Sequence, residues 1–169
     1  MSMIRPIVKY PDPILSREAA DVSLDELSSP EFRQLMRDLE DTLASTSGYG
    51  LAAPQIGVPK KVALAVADGR AWVLINPTVF HEIGASIGEE GCLSLPGFFG
   101  NVRRPQAVVI RGLRWNGLPE ELTAAGITAR VIMHEIDHLH GKMFIEYLPR
   151  EKRNTIRRQV RILQAEGRW

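Results

Sequence analysis

Apolar residues recur at two different spacings along this chain, and the switch between them marks out its elements. Phe32, Leu35, Met36, Leu39 and Leu43 return every three or four positions, the repeat of one face of an α-helix. Ser29 is placed to cap that helix, Pro30 suits its first position, and Ser47-Gly48 ends it. The segment Tyr10-Pro11-Asp12-Pro13 is too rich in proline for helix or central strand and predicts an extended turn. After Gly57-Val58-Pro59 the pattern turns β-like. Residues 61–67 and 71–80, separated by Asp68-Gly69, predict an antiparallel pair. A second pair is predicted over 107–115 and 118–123, joined at Asn116-Gly117. The helical repeat returns at about 126–140, where Ile132, Ile136 and Leu139, extended by Ala129 and Met133, form a stripe that stops at Gly141. Finally Ile156, Val160 and Leu163, with arginines on the other faces, predict an amphipathic helix over 150–165. Strands segregated from helices indicate an α+β fold, with antiparallel sheets packed around the 126–140 helix and an amphipathic helix at the C-terminus. No internal repeat or low-complexity segment interrupts this order.

With 169 residues and 44% hydrophobic content, residues 1–169 are expected to form a single domain. No apolar run approaches the roughly 20 residues a bilayer requires, and the opening MSMIRPIVKYPDP does not resemble a secretory signal, so a cytoplasmic protein without membrane contact is expected. The single cysteine, Cys92, excludes an intramolecular disulfide framework. The formal charge of +1 is unevenly spread: residues 150–169 carry +5 and the remainder −4, which concentrates attraction for polyanions at the C-terminus.

The stretch MHEIDHLHG carries the clearest chemistry. His134 and His138, four apart on a helix, project from one face as a chelate for a divalent metal. Glu135 lies about 100° round the axis, where it reaches a water in the metal's open position and takes its proton. Catalytic sites of this kind usually have a third protein ligand. The position six residues beyond His138 is Phe144, which rules out the three-histidine extension of the motif, while the downstream carboxylates Glu146, Glu151 and Glu166 make unconvincing ligands. Cys92, in Glu90-Gly91-Cys92-Leu93-Ser94, is the better candidate, since a thiolate with two imidazoles suits Zn²⁺ or Fe²⁺. The thiolate's charge makes the bound water less acidic than three neutral histidines would, so Glu135 matters more as base. In Gly48-Tyr49-Gly50-Leu51-Ala52-Ala53-Pro54-Gln55, small residues let the backbone approach a substrate, and Gln55 offers a neutral amide donor to a developing oxyanion.

Together, residues 48–55, 90–94 and 134–141 resemble the three signature motifs of the peptide deformylase family, in order; residues 10–15 resemble its N-terminal PDPxL segment and 142–148 the strand or turn after its metal helix. The resemblance implies removal of the N-formyl group from the initiator methionine of nascent chains, releasing formate, with Fe²⁺ that Zn²⁺, Ni²⁺ or Co²⁺ can replace. It implies Cys92, His134 and His138 as ligands, Glu135 as the base that passes its proton to the departing amine, and Gln55 with the Leu93 N–H as oxyanion donors. Gly50 and Gly91 would bind an extended peptide through their backbones, and Tyr49, Ile127 and Val131 would line the methionine pocket. Two positions depart from the family's common pattern: Met133 stands where many members have Gln, and Phe99 where some bacterial members have Arg. Arg103 or Arg104 would replace that arginine if a loop over 97–101 folds back. The basic C-terminal helix resembles a segment through which some bacterial members dock at the ribosome. Two other readings stay open: an endopeptidase on the same HExxH, which would tolerate Cys92→Ala, and a non-catalytic ribosome-associated protein, in which Glu135→Gln would change nothing.

Overall fold

The structure, a computed structural model, describes residues 3–169; Met1 and Ser2 lie outside it. A short helix α1 (Leu24–Leu27), capped by Ser23, leads into α2 (Pro30–Ala44), where the Ser29 side chain accepts from the Phe32 N–H. Strands β1 (Gly50–Ala52), β2 (Val62–Ala67) and β3 (Arg70–Ile75) form an antiparallel sheet in the order β1-β2-β3. Strands β4 (Thr78–Ile83), β7 (Ala107–Leu113) and β8 (Pro119–Ala125) form a second, in the order β4-β7-β8, and β5 (Ser86–Cys92) forms a two-stranded sheet with β6 (Leu95–Arg104). Helix α3 (Gly126–Leu139) follows, then a 3₁₀ turn (Phe144–Tyr147) and α4 (Arg150–Ala165). The arrangement is α+β, and among the described residues no helix is long and apolar enough to cross a membrane.

Strand alternation explains how the first sheet holds the two long helices. On β2, Val62 and Leu64 face α2, where they meet Phe32, Met36, Leu39 and Leu43; Ala63 and Ala65 face α3 and pack with Ile132, Ile136 and Leu139. The same division places Leu51 and Ile75 toward α2, and Ala52 and Leu74 toward α3. Three alanines on the α3 side let that helix lie close to the sheet. Val108, Ile110 and Ala124 of the second sheet complete the cover, so α3 is buried along most of its length. A separate cluster of Leu15, Leu95, Val102, Phe144, Ile145, Ile156 and Val160 ties α4 and the β5-β6 hairpin to the 3₁₀ turn.

The helices and the 62–67/70–75 and 107–113/119–125 pairs match the expected pattern. The expected strand over 71–80 is instead two strands in different sheets. Asn76 adopts φ 47 ahead of Pro77, and its side chain accepts from the Val22 N–H and donates to the Val22 carbonyl, turning the chain between them. Residues 97–101 are part of β6 rather than a free loop.

Candidate metal centre

Helix α3 buries its apolar face on the first sheet and presents His134 and His138 to the β5-β6 hairpin. Their Nε2 atoms lie 3.2 Å apart. Cys92, the last residue of β5, places Sγ 3.2 Å from His138 Nε2, and all three donor atoms fall within 4.8 Å of one another. Metal–nitrogen bonds of about 2.0–2.1 Å and a metal–sulfur bond of about 2.3 Å give tetrahedral edges of roughly 3.3–3.6 Å, so the spacing suits one ion. Burial lowers the proton affinity of His134, but the Cys92 and Glu90 hydrogen bonds outweigh it and raise that ring well above its ordinary value. His138 is driven well below by burial and by the charge of His134. Two imidazoles with a sulfur are the donors a divalent transition metal takes.

Glu90 orients His134. Its Oε2 accepts from His134 Nδ1 at 3.0 Å, which turns Nε2 toward the cradle. The same carboxylate accepts from Arg104 Nε and Nη2 at 2.8 and 2.9 Å and from Arg130 Nη1 at 2.9 Å. Arg104 Nη1 also donates to Asp137 at 2.6 Å, and the Tyr147 hydroxyl donates to the other Asp137 oxygen at 3.1 Å. Burial alone would raise the Glu90 carboxyl; the Arg104 and His134 hydrogen bonds reverse this and hold it at about 2.

Glu135 faces the opening instead. Its carboxylate lies against Gly50, at the free edge of the first sheet, and Oε2 is buried without a hydrogen-bond partner. Burial pushes this carboxyl up to about 7. Gln55 is fixed from behind: Oε1 accepts from the Ala52 N–H at 2.9 Å, so Nε2 points toward Cys92 Sγ at 3.5 Å and Ser94 Oγ at 3.2 Å. Leu93 forms the hairpin turn with Ser94, immediately after the cysteine. A cleft of about 490 Å³ joins these groups. It is lined by Gly48, Tyr49, Gly50 and Gln55 on one side, Glu89 to Leu93 and Leu95 to Phe99 on another, and Ile127, Val131, His134 and Glu135 of α3. Val131 is buried in its wall, while Tyr49 and Ile127 stand exposed at its mouth.

The family model of polypeptide deformylase matches residues 4–154. This chain belongs to that family. Peptide deformylases are metal-dependent hydrolases that remove the N-formyl group from N-terminal formylmethionine, and that is the activity of this chain. The peptide deformylase of Alkalilimnicola ehrlichii is 42% identical over 167 residues, covering 96% of this chain and 92% of the relative; that of Acidobacterium capsulatum is 40% identical, covering 99% of each. The crystal structure of a peptide deformylase from Legionella pneumophila superposes with a TM-score of 0.87 at 36% identity, covering 96% of this chain and 98% of that one. A class I type b deformylase from Acinetobacter baumannii, solved with Met-Ala-Ser bound, gives 0.84 at 34% identity, covering 88% and 100%.

Cys92, His134 and His138 thus meet in the cradle, and Tyr49, Gly50, Gln55, Gly91, Leu93, Ile127, Val131 and Glu135 line the cleft. Arg104 does not. The suggestion that it replaces a peptide-binding arginine is corrected by its burial between Glu90 and Asp137. Arg103 lies on the outward face of β6, outside the cleft lining. Sequence reasoning missed the parts played by Glu90, Arg130, Asp137 and Tyr147. A signal existed for two of them: Arg130 and Asp137 fall four before and three after His134, so charge recurs at helical spacing within a buried helix.

Proposed function

We propose that Cys92, His134 and His138 hold the catalytic ion, Fe²⁺ in the cell with Zn²⁺, Ni²⁺ or Co²⁺ as replacements, and that Glu135, Gln55 and Leu93 perform deformylation within one catalytic unit spanning the chain. When bound, the divalent ion polarises the formyl carbonyl and acidifies water. Glu135, with an unpaired oxygen in the cleft and a carboxyl near neutrality, takes the proton from the attacking water and delivers it to the methionine nitrogen as formate departs. The Gln55 amide is held with its N–H₂ toward the cradle, so it stabilises the oxyanion together with the Leu93 N–H. A formyl-Met nascent chain lies extended between the edge strands β1 and β5, using the Gly50 and Gly91 backbones, with its methionine side chain among Tyr49, Ile127 and Val131. The Met-Ala-Ser found in the Acinetobacter relative supports a peptide of this kind.

The observation that carries this reading is the convergence of Cys92, His134 and His138 beside the unpaired Glu135. Formate release from formyl-Met-Ala-Ser, with acetyl-Met-Ala-Ser as control, tests it; formate from neither would overturn it. Metal analysis after anaerobic purification tests the assignment of iron.

The outer face of α4 supports a ribosome contact in the cytoplasm, because Lys152, Arg158 and Arg161 are exposed while Ile156 and Val160 are buried. Removing α4 would open that core, so charge reversal is the cleaner test. Lys152→Glu/Arg158→Glu/Arg161→Glu should abolish salt-sensitive co-sedimentation with ribosomes while leaving peptide deformylation unchanged; equal sedimentation of both proteins would refute the contact.

A further inference from the structure

Gln55 and Leu93 stand on separate stretches of chain, and a third stretch ties them together from behind. The Val8 N–H donates to the Gln55 main-chain carbonyl at 2.8 Å, and the Tyr10 N–H donates to the carbonyl of Ser94, next to Leu93, also at 2.8 Å. Two residues of chain reach at most about 7 Å, so residues 8–10 limit how far the Gln55 turn and the Leu93-Ser94 turn can part. Gln55 Nε2 closes the ring of contacts by donating to Ser94 Oγ at 3.2 Å. None of residues 8–10 lines the cleft, so this strap acts on the two donors only through their peptide groups.

Trp169 fastens the strap. After α4, Gly167 adopts φ 67, its N–H donates to the Gln164 carbonyl, and the Arg168 N–H donates to the Leu163 carbonyl. This glycine-dependent helix ending turns the chain back on itself. The Trp169 indole N–H then donates to the carbonyl of Tyr10, the residue whose N–H holds Ser94. Its ring meets Phe98, which lines the cleft, edge to face at 6.0 Å between centroids, and the Lys9 ammonium lies 5.6 Å from the indole. Trp169, Tyr10, Phe98 and Cys92 all pack against one apolar cluster. The indole therefore grips the strap at its Ser94 end and braces it on the cleft wall.

We infer that Trp169 is a positioning residue for the oxyanion donors, holding the spacing of the Gln55 amide and the Leu93 N–H through residues 8–10. The inference rests on the deformylase reading in which those two groups stabilise the oxyanion. Its test is kcat and KM for formyl-Met-Ala-Ser in Trp169→Ala, Trp169→Phe, Gln55→Ala and the Gln55→Ala/Trp169→Ala double variant, with thermal melting on each. Outright loss of an oxyanion donor costs about 10²–10³ in kcat, so a loosened tether should cost less: about tenfold in kcat for Trp169→Ala, with KM within about twofold of wild type. Trp169→Phe keeps an aromatic edge for Phe98 but lacks the N–H, and should lose about threefold. In the Gln55→Ala background, where the amide is already gone, Trp169→Ala should cost no more than about a further twofold. A role in packing alone would lower the melting temperature and subtract the same factor with or without Gln55. A kcat within about twofold of wild type in Trp169→Ala, a loss carried by KM alone, or the full loss repeated in the Gln55→Ala background overturns the positioning role. Where Trp169→Ala does not stay folded, Trp169→Phe decides: a loss that vanishes with Gln55→Ala supports the role, and one that persists overturns it. No formate from the wild type overturns the deformylase reading and this inference with it.

Discussion

Replacing Gly50 with alanine puts a methyl group where the side chain of Glu135 lies. The added Cβ would sit 2.6 Å from Cδ and 2.8 Å from Cγ of Glu135, closer still to one carboxylate oxygen, and well inside van der Waals contact. Gly50 has no positive φ, so the strand accepts alanine and the unfolded chain loses entropy, a gain of about 0.4–1 kcal/mol in stability. Glu135 must therefore move while the fold holds. A shift of about 1 Å in a catalytic group costs roughly a hundredfold in rate. Complete loss of a general base costs about 10²–10⁴. Gly50→Ala should thus lower kcat by about a hundredfold or more, approaching Glu135→Gln, with the metal content of the wild type because the ligands are untouched. Formate release, metal per chain and thermal melting on the same preparation decide the matter. Activity within about threefold of wild type, with metal bound, would refute the claim that Gly50 sets the position of the base.

Three further outcomes follow from the same geometry. Glu90→Gln removes the carboxylate shared by His134, Arg104 and Arg130, and should cost about 3–5 kcal/mol in unfolding free energy and about 10–100-fold in metal affinity, read by denaturant titration and chelator competition. Cys92→Ala should lose both bound metal and formate release, whereas Glu135→Gln should keep the metal and lose turnover by about 10²–10⁴; an active Cys92→Ala protein would favour the endopeptidase alternative. Chelation should raise amide hydrogen exchange in residues 86–104 while β2 keeps its protection, because the hairpin's outer edge is unpaired and β2 lies between two strands; the bound ion at a hundred times its Kd contributes about 2.7 kcal/mol to holding the hairpin closed.

Helix positions were legible from periodicity: Ser29 and Pro30 open α2 as expected, and α3 and α4 fall on the spans 126–140 and 150–165 that their apolar stripes predict. The candidate metal ligands were legible for a related reason, since two of the three repeat at helical spacing. The break at Asn76 was hidden because its partner, Val22, is distant in sequence and the apolar run continues on both sides. The β5-β6 hairpin was harder still. Gly88, Gly91, Gly97 and Gly100 lower its strand propensity, and its alternation is inverted: Glu90 and Arg104 are buried while Ile87 and Phe99 face out. A pattern rule that sends charge outward fails wherever charges pair inside.

That inversion explains how a candidate ligand from one core meets candidate ligands from another. Cys92 belongs to the hairpin, which packs with α4 and the 3₁₀ turn; the histidines belong to α3, which packs on the first sheet. Apolar contact between the two bodies would be non-directional and would tolerate sliding. The seam is instead two guanidiniums against two carboxylates, Arg104 of β6 with Asp137 of α3 and Arg130 of α3 with Glu90 of β5, while Arg104 also grips both oxygens of Glu90 within the hairpin. Such pairs accept little change in angle or distance, and their balanced charge avoids leaving a buried ion uncompensated. The backbone at Gly88 closes on Arg130 as well, where a Cβ would stand 3.0 Å from the guanidinium carbon. Because Glu90 both accepts from Arg130 of α3 and orients His134, the interaction that sets the hairpin's register on α3 also aims the first imidazole at the sulfur two residues further along β5.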